Sequence, residues 1–123
     1  MLAVDDQPHF RSALLALIEA TWAAALVREA ESGEAAVVLA RELEPDVVLM
    51  DVRMDGIGGV RAAHEIKGIR PGALVLLIST VHPHELTREA SECPADGIVW
   101  KGDLCPRLLS DLWATHLGSG RDG

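Results

Sequence analysis

The chain has 123 residues, of which 49% are hydrophobic and 24% are charged, and its net charge at pH 7 is -8. This length suits one domain with a single core, and the acidic balance disfavours nonspecific binding to nucleic acid or to an anionic membrane. No segment reaches the ~20 apolar residues of a membrane span, and the first residues lack the basic and apolar pattern of a secretory leader. A cytoplasmic location is therefore expected.

The first part of the chain alternates short apolar runs with helical repeats. Leu2–Val4 predicts a first strand that ends in two aspartates. Pro8 favours the first turn of a helix that extends to about residue 20. Residues 24–27 predict a second strand, and Ser32 is a suitable N-cap for the helix that follows.

Four consecutive apolar residues, 47–50, predict a third strand, and two of them are β-branched valines. Runs of this type are typical of a parallel strand that is covered on both faces. The strand ends in Asp51, and a glycine-rich turn follows over residues 56–59. Ligands of open α/β sheets bind just outside the carboxyl ends of the strands, so Asp51 is a candidate functional residue. A turn or helix-cap role is the alternative.

The second half of the chain continues the alternation. Apolar residues at positions 60, 63 and 66 predict a helix, residues 74–78 a central strand, and positions 86, 90 and 93 a weaker helix. Gly97–Trp100 predicts a fifth strand. Asp103 is expected to cap a last helix whose inward residues are 108, 109, 112 and 113, followed by a Gly-rich tail over residues 118–123.

Five strands in strict alternation with five helices predict an α/β domain with a parallel sheet and helices on both faces. We expect this domain to occupy residues 1–117, with residues 118–123 as a C-terminal tail. Periodicity does not give the order of the strands in the sheet.

Four of the five predicted strands end in ionisable or hydroxyl side chains: Asp5 and Asp6, Asp51, Ser79 and Lys101. Parallel strands point the same way, so these groups are expected to converge at one edge. Three neighbouring carboxylates repel one another unless a cation is present, and oxygen ligands suit Mg²⁺. A metal, an ammonium and a hydroxyl beside a carboxylate match the needs of phosphoryl transfer, in which a carboxylate can itself be the acceptor.

These residues resemble those of the receiver domains of two-component response regulators. The resemblance covers essentially the whole chain and rests on short motifs at residues 4–6, 45–51, 54–59, 78–80 and 95–101. It implies a flavodoxin-like, doubly wound five-stranded sheet in the order 2-1-3-4-5, with five helices on both faces.

The resemblance also implies roles at the site. Asp51 would accept a phosphoryl group from a sensor histidine kinase or a phosphotransfer protein. Asp6, Asp51 and the backbone carbonyl of Arg53 would bind Mg²⁺ directly, and Asp5 would act through water. The domain would then be a signalling switch and not an enzyme, beyond promoting its own phosphorylation and dephosphorylation.

Two further residues complete the implied switch. Lys101 would bind a phosphoryl oxygen, and the hydroxyl of Ser79 would move towards the phosphate. The output would be a downstream protein or a C-terminal effector domain beyond this chain, without direct nucleic-acid or membrane binding by the chain itself. The last helix is a candidate surface for homodimer formation.

The chain departs from the family pattern at the switch. Ile98 stands where the family commonly has Tyr or Phe, and Trp100 shares its strand face by the period of two. Asp55 replaces the usual Pro of the loop after Asp51. Ile98 and Pro94 leave open a degenerate receiver that binds partners without phosphate, whereas the intact Asp51, Lys101 and acidic pair weigh against it. A Mg²⁺-dependent phosphatase is a weaker third alternative.

Overall fold

A computed structural model describes residues 1–23, 26–54, 56–80 and 95–121, without the side chains of residues 119–121. Its strands are β1 Leu2–Val4, β2 Arg28–Ala30, β3 Val47–Asp51, β4 Leu74–Ser79 and β5 Gly97–Trp100. Its α-helices in the described ranges are α1 Pro8–Thr21, α2 Gly33–Leu43, α3 Gly58–Ile69 and α4 Pro106–Arg121. A 3₁₀ turn, Lys101–Asp103, follows β5. The helix predicted around positions 86–93 lies outside the described residues.

All five strands pair in parallel, in the order β2-β1-β3-β4-β5. The predicted α/β class and the implied strand order are therefore confirmed. Three strands, β1, β3 and β4, occupy the middle of the sheet, and every residue of β1 and β4 is buried. Their apolar sequences follow from this position, because both faces of a central strand are covered.

Alternate residues of the central strands supply two apolar layers. Leu2, Val48 and Val75 belong to the layer packed under α2 and α3. Ala3 and Leu49 belong to the opposite layer, which α1 and α4 cover. Within the described part of the chain, the sheet is thus buried between α2 and α3 on one face and α1 and α4 on the other. Polar side chains can emerge at the ends of its strands.

The second strand lies at Arg28–Ala30, so its prediction at residues 24–27 is wrong. The strand is at the sheet edge, and only Ala30 of its three residues is buried. An edge strand with an exposed face needs few apolar residues. The apolar run at residues 24–27 therefore did not mark the position of this strand. Leu26, within that run, is 89% exposed.

The last helix begins at Pro106, and the predicted cap at Asp103 is also wrong, since Asp103 closes the 3₁₀ turn. Proline suits the first helical position because its missing N–H would have no partner there. The helix continues to Arg121 and so includes residues that the sequence assigned to the tail. Among the described residues, no helix has both the length and the apolarity that crossing a membrane requires.

Asp96 lies just before β5, at the amino-terminal ends of the strands, and contacts three elements there. Its carboxylate accepts hydrogen bonds from the Val75 N–H at 2.8 Å and from the Lys67 ammonium at 3.0 Å. The same ammonium donates to the carbonyl of Ala73 at 2.8 Å. Asp96 therefore ties the start of β5 to β4 and to the end of α3.

Candidate functional site

Three carboxylates meet at the carboxyl ends of β1 and β3, which are neighbours in the sheet. One oxygen from each of Asp5, Asp6 and Asp51 lies within 4.8 Å of the others. Asp5 is buried with 2% of its surface exposed, Asp51 is partly buried and Asp6 is exposed. The structure thus brings together the acidic residues that the sequence analysis placed at one edge.

Hydrogen bonds from two other elements hold Asp5 in place. Its N–H donates to the carbonyl of Ala30 at 3.1 Å, and its Oδ1 accepts the N–H of Gln7 at 2.9 Å. Its own carbonyl accepts from Arg11 Nη1 at 2.9 Å, and Arg11 Nε lies 3.4 Å from Glu29 Oε1. Asp5 is therefore fixed between β2 and the first turns of α1.

Asp51 is held at the junction between β3 and the loop that leads to α3. Its Oδ1 accepts the N–H of Arg53 at 3.1 Å. Val52, which follows Asp51 in the chain, donates its N–H to the carbonyl of Ile78 at 3.0 Å. The Gly59 N–H donates to the carbonyl of Val52 at 3.1 Å, and a Cβ on Gly59 would overlap the carbonyl oxygen of Asp51. Glycine at position 59 is thus required for α3 to begin this close to the acidic cluster.

Burial and mutual repulsion perturb the acidic groups. Desolvation is the main cause that raises the pKa of Asp51 from 3.8 to about 6; the Asp5 and Asp6 charges also raise it, while the Arg53 N–H and Lys101 oppose the change. The pKa of Asp5 is also raised, again mainly by burial. The ionised cluster is therefore short of positive charge, which favours binding of a cation.

The ammonium of Lys101 supplies one such charge from the residue that follows β5. It lies over the ring of Phe10 in the first turns of α1, and its pKa is lowered by burial although Asp5 and Asp51 favour its charged form. Among the described residues it forms no ion pair within 4.0 Å with the acidic cluster. Lys101 is thus near the cluster and is held by an aromatic face.

Ser79 ends β4 and is buried, with 2% of its surface exposed. It pairs in register with Trp100, the residue immediately before Lys101. Ile98, two residues earlier on β5, is partly buried and packs against the layer under α2 and α3. The hydroxyl and the ammonium therefore leave neighbouring strands at the same sheet edge as Asp51.

The donor set fits Mg²⁺. All three clustered side chains offer carboxylate oxygens, the ligands that this hard cation prefers, and their spacing of less than 4.8 Å allows one ion to contact more than one of them. The partly exposed position of Asp51 and the exposed Asp6 leave access for water ligands. The backbone carbonyl of Arg53 remains a predicted ligand, whereas the Arg53 N–H is engaged with Asp51.

Sequence reasoning missed the partner of Lys101. Phe10, Leu14 and Leu17 recur at the spacing of a buried helical stripe, which predicts Phe10 as an apolar packing residue of α1. The structure shows its ring under the ammonium of Lys101. Helical spacing alone does not distinguish the two environments, so no sequence signal identified this contact.

Comparison with known proteins agrees with this geometry. Residues 1–110 match the family model described as the response regulator receiver domain. The chain is 37% identical to the transcriptional regulatory protein YdfI of Bacillus subtilis over 97% of this chain and 55% of that protein. It is 34% identical to the chemotaxis protein CheY of Halobacterium salinarum over 91% of this chain and 92% of that protein. A LuxR-family two-component response regulator from Aurantimonas superposes with a TM-score of 0.78 and 32% identity, covering 95% of this chain and 84% of that one.

The chain therefore belongs to the receiver domains of two-component response regulators, a class of signalling switches. It spans about half the length of several curated relatives that it matches, including the response regulator GacA of Pseudomonas aeruginosa and YdfI. By contrast, it covers nearly the whole of the CheY relative.

Proposed function

We propose that Asp51 accepts a phosphoryl group in the presence of Mg²⁺ and that the modified domain changes its affinity for a partner protein. The observation that carries this proposal is the meeting of Asp51 with Asp5 and Asp6 at the end of β3, with a lysine ammonium nearby. A pKa of about 6 leaves Asp51 ionised by about ten to one at pH 7, as a nucleophile must be.

The chemical step forms one bond and breaks one. Since Oδ1 of Asp51 accepts the Arg53 N–H, we assign Oδ2 as the attacking atom. It forms the new O–P bond, while the P–N bond of a phosphohistidine donor breaks and its electron pair passes to the imidazole nitrogen, which takes up a proton. The donor would be a sensor histidine kinase or a phosphotransfer protein. The products are an aspartyl phosphate and a neutral histidine.

Asp6, Asp51 and the Arg53 carbonyl would hold Mg²⁺ directly, with Asp5 acting through water. The metal supplies positive charge for the phosphoryl oxygens when it is bound. Lys101 would bind one of these oxygens, for which its ammonium must leave the Phe10 ring. The Ser79 hydroxyl, at the end of the adjacent strand, would hydrogen-bond another.

Phosphate contacts made by Ser79 and Lys101 would favour the active conformation over the inactive one. The signal would then pass to a downstream protein or to an effector domain, as the greater length of the transcriptional regulators suggests. We place the domain in the cytoplasm, with homodimer formation as one route of output. Its chemistry would be limited to its own phosphorylation and dephosphorylation.

A phosphorylation assay tests this assignment. Wild-type protein, Asp51→Asn and the control Asp111→Asn, an exposed aspartate on α4, are incubated with Mg²⁺ and acetyl phosphate and analysed by intact mass. Wild type and the control should gain one phosphoryl group, and Asp51→Asn should gain none. Absence of phosphate on wild type, with a known receiver modified in parallel, would favour a degenerate receiver that binds partners without phosphate. Turnover of a small phosphoester such as p-nitrophenyl phosphate, offered in place of acetyl phosphate, would instead indicate a phosphatase.

A further inference from the structure

The loop between β3 and α3 is fastened by a residue of a different helix. The Ile57 N–H donates to Oε1 of Glu34 at 3.1 Å, although the two residues are 23 positions apart in the chain. Ile57 is the N-cap of α3 and provides no side-chain cap of its own. Glu34 lies in the first turn of α2, where the helix dipole favours a carboxylate. The glutamate thus links the start of α2 to the start of α3.

The surrounding backbone is shaped to receive this carboxylate. Gly56, next to Ile57, has φ +80°, and a Cβ on it would lie 2.6 Å from Glu34 Oε1. Gly33 is buried, and a Cβ there would lie 2.9 Å from both the Gly58 carbonyl oxygen and the Ile57 side chain. We call these five residues, Gly33, Glu34, Gly56, Ile57 and Gly58, the loop socket. Its glycines allow two helix starts and one carboxylate to pack closely.

The loop held by the socket is the one that leaves the acidic cluster. At its beginning, the Arg53 N–H is bonded to the carboxylate of Asp51, and near its end Glu34 holds Ile57. The backbone carbonyl of Arg53 lies between these two attachments in the chain. Without the bond at Glu34, the loop would still be closed by the Gly59 N–H bond to Val52, but the backbone around Arg53 would be less restrained. Ordering that backbone would then reduce the free energy gained from any binding that uses it.

We infer that Glu34 is a positioning residue for the phosphorylation site. Its hydrogen bond to Ile57 keeps the loop ordered, so that the Arg53 carbonyl and the Asp51 carboxylate are arranged for Mg²⁺ before the metal arrives. Glu34 is not part of the acidic cluster and does not touch the reacting atoms. This inference rests on the proposed function, because it concerns the same metal site.

The test compares three variants of the whole domain. Glu34→Ala removes the acceptor, Glu34→Gln keeps an acceptor oxygen but removes the charge, and Glu31→Ala removes an exposed negative charge immediately before the N-cap of α2. Mg²⁺ dissociation constants are measured by isothermal titration calorimetry, and amide hydrogen exchange at Ile57 is measured by NMR without metal.

Glu34→Ala should weaken Mg²⁺ binding by about threefold to tenfold, the range expected for one lost hydrogen bond, and should speed exchange at Ile57 by a similar factor. Glu34→Gln and Glu31→Ala should stay within about twofold of wild type in both measurements. If Glu34→Gln behaves like Glu34→Ala, charge alone explains the effect and the positioning role is refuted. Unchanged Mg²⁺ affinity in Glu34→Ala also refutes it, while the proposed function stands. A wild-type protein that binds no Mg²⁺ overturns both the proposed metal site and the inference.

Discussion

Replacement of Asp51 by asparagine is expected to stabilise the metal-free domain at pH 7. Asparagine retains an oxygen for the Arg53 N–H, so the substitution mainly removes the charge. A pKa raised from 3.8 to about 6 corresponds to a cost of about 3 kcal/mol for the ionised form in the folded protein. Because Asp51 is partly exposed, screening by water reduces the expected gain in the free energy of unfolding to about 1–2 kcal/mol.

The gain should depend on pH in a defined direction. Below about pH 3 the carboxyl is protonated in both the folded and the unfolded state, so wild type and Asp51→Asn should be about equally stable. Between about pH 3.8 and pH 6 the Asp51 carboxyl is largely ionised in the unfolded chain but still protonated in the folded protein. Wild type therefore loses stability relative to the variant as the pH rises through this range, and the loss is complete above it.

Urea unfolding followed by tryptophan fluorescence measures this difference. With a slope of about 1–3 kcal/mol per molar urea, the midpoint of Asp51→Asn at pH 7 should exceed that of wild type by about 0.3–2 M. Saturating Mg²⁺ should narrow or reverse the gap, because it stabilises the wild-type folded state preferentially. A variant no more stable than wild type at pH 7, or a gap independent of pH, would refute the reasoning from burial and neighbouring charge.

Other consequences of the structure can be measured in the same way. Mg²⁺ affinity should fall by up to about tenfold for each pH unit below 6, because Asp51 must lose its proton to bind a cation; calorimetry from pH 5 to 8 checks this, and a flat profile would contradict it. Gly59→Ala should lower the free energy of unfolding by about 2 kcal/mol or more, since the added Cβ overlaps the Asp51 carbonyl. Its control, Gly68→Ala, has open space around the new Cβ and should be neutral or stabilising, so equal urea midpoints for the two variants would count against the close approach. Asp96→Ala should cost about 1–3 kcal/mol because the Val75 N–H loses its acceptor, and a thermal melt identical to wild type would contradict this.

The sequence predicted the central strands well because burial on both faces imposes continuous apolar runs on them. The predictions for the central strands β1, β3 and β4 lie within one residue of the observed bounds, as does that for the edge strand β5. The prediction failed at β2, whose Arg28 and Glu29 are exposed at the sheet edge and carry no such pattern. It failed again at the start of α4, where Pro106 determined the first turn and Asp103 did not.

The acidic cluster could be anticipated because it depends only on where parallel strands end. Asp5, Asp6 and Asp51 come together for that reason. The degree of burial that raises the pKa of Asp51 could not be predicted from the sequence, since it depends on packing around the strand end. Nor could the Glu34 hydrogen bond to Ile57, which joins two helix starts through the fold and leaves no local motif.

The position of Lys101 over Phe10 has a consequence for how fast the domain can respond. An ammonium on a ring face gains only about 0.5–2 kcal/mol and is free to turn about the ring normal, whereas a charge-assisted bond to an anionic oxygen is stronger and directional. The Lys101 side chain is thus held weakly, and an arriving anion can draw its ammonium from the ring without first breaking an ion pair to a described residue. Phe10 of α1, an uncharged residue, would in this way determine how quickly the Lys101 ammonium becomes available to a phosphoryl oxygen.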